Sequence, residues 1–466
     1  MKFLTIVLFA LCLTGNPKKG SSIVLNASSK VESTFSGTIP GDQSFHLIVA
    51  KNKEKDNFEI IPVSNNDGEL KQLTPIAFDT HPSIISFHNT NETVSLIVSS
   101  EEDKTDKFSI VNVNLVSGVS DISETFSGED FKAVIRKATK NTLIFSNRET
   151  LKIVEVEGLS LSKSIDVITT EDDDVFLKDL NISKLDAVNT DEFVANGSIE
   201  EFRVYKEGDI LFFTRENKRT SDTTVSKISL ENGGPPIIEA TVFKSQSSEK
   251  TKKSTSFFNG KNVFKLQLDR KEGLLSVYDL DGTTATNLEL SSTKISNSSK
   301  GFEDVDDFLK KASKYMNEPT ITVNKTKSGD LAIRMDYVDK RIYMYQYNWW
   351  WWHDFMRFNQ FMMRSPIGTP NVPTGFGPSP IDFEYYYSND EYHYFDIILD
   401  LSFENINLNT IEMVNPFVDK KKYIDKLEEN VTVKYSSSVF FEDEMRYFCY
   451  DKKTNSFKVL IQEFND

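Results

Sequence analysis

The sequence predicts an all-β fold built from one repeated hairpin unit, with short helical insertions between units. Three observations carry that prediction: a compact apolar run recurs eight times, each copy is followed by a run alternating apolar and polar residues, and a third strand-like run usually comes next. The clearest copy is residues 142–157, where TLIFS is followed by the polar turn NRET, ending at Thr150, and then by LKIVEVE. The two runs read as one hairpin with a buried and a wetter face.

The apolar runs are HLIVA at His46, SLIVS at Ser95, TLIFS at Thr142, ILFFT at Ile210, VFKLQL at Val263, DLAIRM at Asp330, FDIILD at Phe395 and MRYFCY at Met445. Their alternating partners are FEIIPVS from Phe58, FSIVNVN from Phe108, LKIVEVE from Leu151, TVSKISL from Thr224, LLSVYDL from Leu274, RIYMYQY from Arg341, NINLNTIEMV from Asn405 and SFKVLIQEF from Ser456. Third strands end at Phe78, Ser127, Thr169, Phe243 and Ser292, and the runs SIISF, FKAVI and FRVY, starting at Ser83, Phe131 and Phe202, precede the next repeat. Successive apolar runs lie roughly 50 residues apart in several intervals, which excludes simple helical solenoids and fits four-stranded blades.

In this strand rhythm the chain resembles the β-propeller superfamily over nearly its whole mature length. The resemblance implies a disc with loops on two faces and a central channel. It is one of rhythm and not of fingerprint: no Gly-His to Trp-Asp pairing and no double-Gly motif marks a particular blade type, and activity does not transfer with the fold. Eight hairpins imply seven blades or eight. The last repeat ends on its third strand, and one of two spare strands near the start, SIVLNAS from Ser22 or VESTFSG from Val31, is expected to complete it, so that an N-terminal strand closes the ring.

Residues 1–15 carry one early Lys and the apolar run FLTIVLFALCL, the profile of a secretory leader. The remainder, 22–466, reads as a single propeller domain, secreted or exposed at the cell surface. Cys12 would be removed with the leader, leaving Cys449 without a partner and placed as a small core hydrophobe within MRYFCY. A net charge of −16 argues against nucleic acid as a partner. Asn-x-Ser/Thr triplets at Asn26, Asn91, Asn181, Asn196, Asn297, Asn324 and Asn430 are glycan acceptors if the host glycosylates.

Four insertions interrupt the rhythm. Residues 170–197 start with the acidic run Glu171 to Asp174, read as a solvated helix start rather than a calcium loop, because the spaced ligands and central Gly of such a loop are missing. From Phe302, FEDVDDFLKKASKYM places Phe302, Val305, Phe308, Leu309, Ala312 and Tyr315 on one helical face. A short charged helix is expected from Pro416. The fourth insertion, 348–394, holds all four tryptophans of the chain, Trp349, Trp350, Trp351 and Trp352, then HDFMRFNQFMMR, a Pro/Gly-rich stretch and the tyrosine-rich FEYYYSNDEYHYF. A consecutive tetrad points its side chains in every direction, so one lining surface cannot bury them all. Aromatics with Met and Arg are the composition of interface hot spots. Trp349 to Trp352, Phe355, Arg357 and Phe358 are therefore the candidate binding residues; the competing expectation is that they plug the ring.

Motifs for catalysis are missing: there is no phosphate-cradling Gly-rich loop, no His-Glu-x-x-His, no zinc-spaced Cys pair and no Gly-x-Ser-x-Gly. His353 and His393 bracket the insertion and could meet Asp354 or Asp390 at a metal, but no spacing supports this, and no metal, cofactor or catalytic residue is predicted. The expected function is a non-catalytic, protein-binding scaffold that uses the aromatic insertion, as a monomer or within a hetero-complex. Peripheral membrane or glycan contact is a lesser expectation. Two other readings stand beside it: a carbohydrate-active propeller enzyme with an Asp/Glu pair at the channel mouth, and a secreted or surface factor of a parasite or symbiont.

Overall fold

The computed structural model describes residues 18–339 and 394–464, apart from 42, 67–68, 91, 103–104, 129, 138, 168–173, 192, 195–196, 232–237, 246–250, 292–297, 301, 303, 407–411, 415–422, 425–426, 428–431 and 442. Among the described residues the strands form seven sheets, almost wholly antiparallel. We number the sheets along the chain. Sheet 1 contains Ser29–Ile39, Gln43–Asn52 and Asn57–Asn66, with Glu69–Gln72 and Ile76–Phe78 both paired to the third strand. Sheet 2 contains Ser83–Thr90, Thr93–Glu102, Thr105–Asn114 and Ser120–Ser127; sheet 3 contains Phe131–Arg136, Lys140–Ser146, Leu151–Glu157 and Ser160–Val167. Sheet 4 contains Phe202–Glu207, Ile210–Asn217, Asp222–Ser229 and Ile238–Phe243, and gains Leu185–Ala187 as a parallel fifth strand. Sheet 5 contains Lys253–Phe258, Asn262–Leu268, Gly273–Asp279 and Thr284–Leu290. Sheet 6 contains Asn317–Lys325, Leu331–Asp339 and Tyr394–Leu399, the last also pairing with Ser298–Lys300 and Asn405–Ile406. Sheet 7 contains Val433–Phe440, Glu444–Asp451 and Ser456–Glu463, and its fourth strand is Lys18–Ile23 from the other end of the chain.

The apolar runs of the repeat are the second strands. Gln43–Asn52 is buried along nearly its whole length, whereas the fourth strand Ser160–Val167 alternates exposed and half-buried residues. A strand covered on both faces needs apolar residues at successive positions, and one covered on a single face needs them only at every second position. The hairpin at 142–157 forms in the expected register, with Thr142 opposite Glu155 and Ser146 opposite Leu151.

Three expectations need correction. DLAIRM and FDIILD are not separate hairpins: Leu331–Asp339 and Tyr394–Leu399 are neighbours in sheet 6, so eight apolar runs give seven sheets. The expected partner of the first, residues 341–347, lies outside the described residues. The strand that completes sheet 7 starts at Lys18, earlier than Ser22, and the VESTFSG run belongs instead to the first strand of sheet 1. Tyr315 is 87% exposed, because helix α2, Val305–Ala312, ends at the Ser313 cap before reaching it.

The rest of α2 agrees with the sequence. Asp304 caps it by accepting from the Asp307 amide at 2.8 Å, acids fill the first turn and lysines the last, and Val305, Phe308, Leu309 and Ala312 are buried. Its Phe308 ring stacks on Phe395 of sheet 6 at 5.7 Å. Helix α1, Asp174–Ile182, begins where the acidic run ends. Of the helix expected from Pro416, Ile424 and Leu427 are described and are buried against Met445, Tyr447 and Cys449. Burial pushes the Cys449 thiol up to about 12, which suits an inert core residue.

The chain divides into two units, one holding sheets 7, 1 and 2 and the other sheets 3 to 6. In the first unit Phe35, Phe45 and Phe87 meet at 5.2 to 5.8 Å between sheets 1 and 2. Ile48, Ala50 and Ile61 pack on Phe448, Phe457 and Val459 between sheets 1 and 7. In the second unit Ile144 and Ile153 of sheet 3 share a core with Val204 and Phe213 of sheet 4, and a second core runs through sheets 4, 5 and 6 with α2. Within each unit, sheets consecutive in the chain, with sheet 7 next to sheet 1, therefore pack face to face.

Candidate functional site

The aromatic insertion springs from sheet 6. Leu331–Asp339 and Tyr394–Leu399 pair without a break from Leu331 opposite Leu399 to Met335 opposite Phe395. The chain thus leaves one strand of a hydrogen-bonded pair at residue 340 and rejoins the adjacent strand at 393. Trp349, Trp350, Trp351, Trp352, Phe355, Arg357 and Phe358 all lie outside the described residues, as do His353 and His393.

What is described is the root from which the insertion leaves. Arg334 makes a bidentate pair with Asp396 across the two strands, at 3.0 Å for both contacts, and its guanidinium lies 3.7 Å from the centre of the Tyr394 ring. Asp336 stands two residues along from Arg334; burial holds its carboxyl well above the usual range, the Arg334 charge opposing this only in part. Burial likewise raises Asp396, against the pull of Arg334. A planar cation locked to a carboxylate and covered by a ring fixes the spacing of the two strands where the insertion begins.

Sequence reasoning did not find a second class of residues, the buried charges between sheets. Lys206 of sheet 4 donates to the Glu155 carboxylate and, at 2.7 Å, to the Thr142 hydroxyl, both of sheet 3. Burial alone would raise Glu155, but hydrogen bonding and charge from Lys206, with Lys140 behind it, hold it low and ionised. Between sheets 4 and 5, Arg203 donates to the Ser256 carbonyl at 2.7 Å and to Glu216 at 3.2 Å, while Lys265 donates to the Phe243 carbonyl at 2.8 Å. Burial pushes the Lys265 ammonium down to about 8. Between sheets 5 and 6, Lys253 pairs with Glu318 at 3.1 Å. The only hint in the sequence is a cation inside an apolar run, as Lys265 is in VFKLQL.

In the first unit a serine and histidine cluster links sheets 1 and 7. The Ser36 hydroxyl lies 2.6 Å from His46 Nδ1 and 2.7 Å from the Ser437 hydroxyl of sheet 7, and the imidazole stacks on Phe448 at 4.5 Å. This is a serine beside a histidine, but not a nucleophile beside a base. His46 is fully buried, and burial, with the Arg446 charge second, pushes it down to about 3, far from the value a general base needs near neutral pH.

Glycoside chemistry needs two convergent carboxylates that a substrate can reach. Buried Glu155, Glu216, Glu318 and Asp451 are each tied to a cation, Lys206, Arg203, Lys253 and Lys458 respectively. Asp186, like Asp336, is raised instead: burial first and the nearby Glu200 second push its carboxyl up to about 7, but Asp186 is only 1% exposed and no substrate reaches it. Among the described residues no three His, Cys, Asp or Glu side chains group as a metal site, and no helix is long and apolar enough to cross a membrane. The acidic run Glu171 to Asp173 lies outside the described residues. Of the glycan acceptors, Asn26 is exposed, whereas Asn324 is buried with its amide nitrogen donating to the Val194 carbonyl at 3.0 Å.

No family model matches the sequence, and no curated protein is similar to it. Solved structures that align with the fold include a β-propeller domain and a WD40 domain. The β-propeller domain of the Trilobed protease from Pyrococcus furiosus aligns over 94% of this chain and 97% of its own, at 8% identity and a TM-score of 0.34. The WD40 domain of SCAP from fission yeast aligns over 96% and 97%, at 8% identity and a TM-score of 0.27. Prolyl endopeptidases align over 71% of this chain at 12% identity and a TM-score of 0.31, and the chain spans about half of their length, 49%. Similarity at this level leaves the fold to rest on the seven sheets themselves.

Proposed function

We propose that the protein is a non-catalytic binding scaffold, secreted or held at the cell surface, whose seven sheets are blades of one ring closed by the N-terminal strand. Its main contact is the aromatic insertion, with Trp349 to Trp352, Phe355, Arg357 and Phe358 meeting a protein partner. One observation carries this reading: the place where the insertion is made. Neighbouring antiparallel strands such as Leu331–Asp339 and Tyr394–Leu399 need only about two residues to join them. Residues 340–393 stand there instead and hold every tryptophan of the chain. The strand pairing at the root uses none of them. A segment so rich in aromatic, Met and Arg residues, added to a pair of strands that pairs without it, suits partner capture better than fold construction.

The test is to replace residues 340–393 by an Asn-Gly turn and to compare the two proteins by thermal melting and by pull-down from the native source. The scaffold reading expects an unchanged cooperative melt and loss of the captured partner. A collapsed melt shows that the insertion plugs the fold, and retained capture moves the contact elsewhere. If vesicles or glycans compete with the partner, the contact is peripheral membrane or sugar.

A further inference from the structure

Leu185–Ala187 and Phe202–Glu207 are parallel, so no hairpin can join them and the chain must travel back between the two. The described parts of that return, 188–191, 193–194 and 197–201, touch three sheets. Asp191 pairs with Lys137 after the first strand of sheet 3 at 2.7 Å, and the Thr190 hydroxyl donates to Glu207 of sheet 4 at 3.1 Å. At sheet 6 the contact is closest. Val194 donates its amide to Asn324 Oδ1 at 2.8 Å and accepts from Asn324 Nδ2 at 3.0 Å, so one side chain pairs with both backbone groups of one residue as a neighbouring strand would. Gly197 lies so near the Ile321 backbone that a Cβ there would stand 2.6 Å from its carbonyl oxygen. Phe193 faces the Arg334 guanidinium at 5.6 Å. Residues 192, 195 and 196 are outside the described set.

The other end is fastened inside sheet 4. Ser198 donates its hydroxyl to one oxygen of Asp186, its carbonyl accepts from Arg203 at 3.1 Å, and its hydroxyl oxygen accepts from the Glu200 amide at 3.0 Å. The second Asp186 oxygen is buried and has no hydrogen-bond partner among the described residues. The charges facing Asp186 are Glu200, which opposes its ionisation, and Arg203 and Lys184, which favour it. Those on the elements around are committed elsewhere: Arg203 to Glu216, Lys184 to Glu200 at 3.9 Å, Asp179 of α1 to Arg215, and Lys132 of sheet 3 to the Asn181 carbonyl.

We propose that the described residues of this return form a pH-sensitive strap, fixed to sheet 6 at Val194 and Gly197 and loosened at Ser198 to Glu201, on sheet 4, when Asp186 gives up its proton. A carboxylic acid suits the buried place beside Glu200; a carboxylate with one uncompensated oxygen does not. Because burial raises the folded value to about 7, the stabilisation is complete below the ordinary carboxylate value and is lost as pH rises through 7. This inference is independent of the aromatic insertion and its partner.

Native-state hydrogen exchange on the full chain, from about pH 5 to pH 9 and corrected for intrinsic rates, tests it. Opening at the Glu200 amide, which Ser198 holds beside Asp186, is expected to rise about tenfold per pH unit up to 7 and to level off above it, while the Val194 amide at the fixed end shows no such rise. In Asp186→Asn the slope disappears. In Glu200→Gln the break moves to lower pH, and this variant carries the test alone if Asp186→Asn does not fold. A flat profile in the wild type, an unmoved break in Glu200→Gln, or amides of Ile210–Asn217 opening in step with the strap would each overturn the proposal.

Discussion

A charge enclosed between two sheets depends on its partner, and Lys206 is the clearest case. Its ammonium meets Glu155 and Thr142 of the next sheet, with both charged side chains almost completely buried. Truncation by Glu155→Ala strands that ammonium without an acceptor of opposite charge, at an expected cost of about 3–5 kcal/mol in urea unfolding. The double change Glu155→Leu with Lys206→Met removes both charges together and is expected to cost much less. His46 makes a different prediction. Its folded value of about 3 lies below the unfolded one, so its contribution is present above about pH 6.5 and is lost as pH falls toward 3. Between those limits the wild type should lose on the order of 1.4 kcal/mol per pH unit more than His46→Gln, measured by denaturant midpoints at pH 5 and 7.

At the scale of elements, the hairpin loops share a device. Asn147 Oδ1 accepts from the Glu149 and Thr150 amides at 2.9 and 2.8 Å, and Asn52 and Asn217 do the same for two amides in their own loops. Each stands at or just after the end of a second strand, where its side chain satisfies amides that the ladder no longer pairs. Asn147→Ala is expected to cost about 1 kcal/mol, read as a lowered urea midpoint with an unchanged slope. This device was legible in the sequence only after the loops were aligned on the strands. The strands themselves were legible because second strands are solid apolar runs and fourth strands alternate. Three things were not. DLAIRM and FDIILD looked like two hairpins because residues 340–393 separate strands that are neighbours in space. Lys206 and Lys265 stood out in no motif, since one cation in a strand does not reveal that a neighbouring sheet carries its acceptor. The strap at 188–201 depends on the parallel pairing of Leu185–Ala187, which three residues cannot announce. The root of the candidate site, Arg334 with Asp396, is likewise a cross-strand pair hidden by the same insertion.

For the whole molecule the question is what the chain ends do. Lys18 pairs with Ile461, Lys19 with Leu460, Ser22 with Lys458 and Ile23 with Phe457, so the first strand of the chain supplies the fourth strand of the sheet its last residues build. Joining ends so distant carries only a modest entropic cost, because closure entropy grows with the logarithm of length at about 0.6 kcal/mol per doubling. The gain is that Ser456–Glu463 has a neighbour on both sides and offers no free edge to another copy. Deleting residues 1–27 should therefore leave sheets 3 to 6 unchanged, lower exchange protection at Ser456–Glu463 and produce association that grows with concentration in light scattering. A peptide covering residues 16–27 should restore both when added in trans, since an extended segment can add to an exposed edge through backbone hydrogen bonds alone. Full protection at Ser456–Glu463 in the truncated protein would show that the N-terminal strand is decoration and that the proposed ring closes by other means.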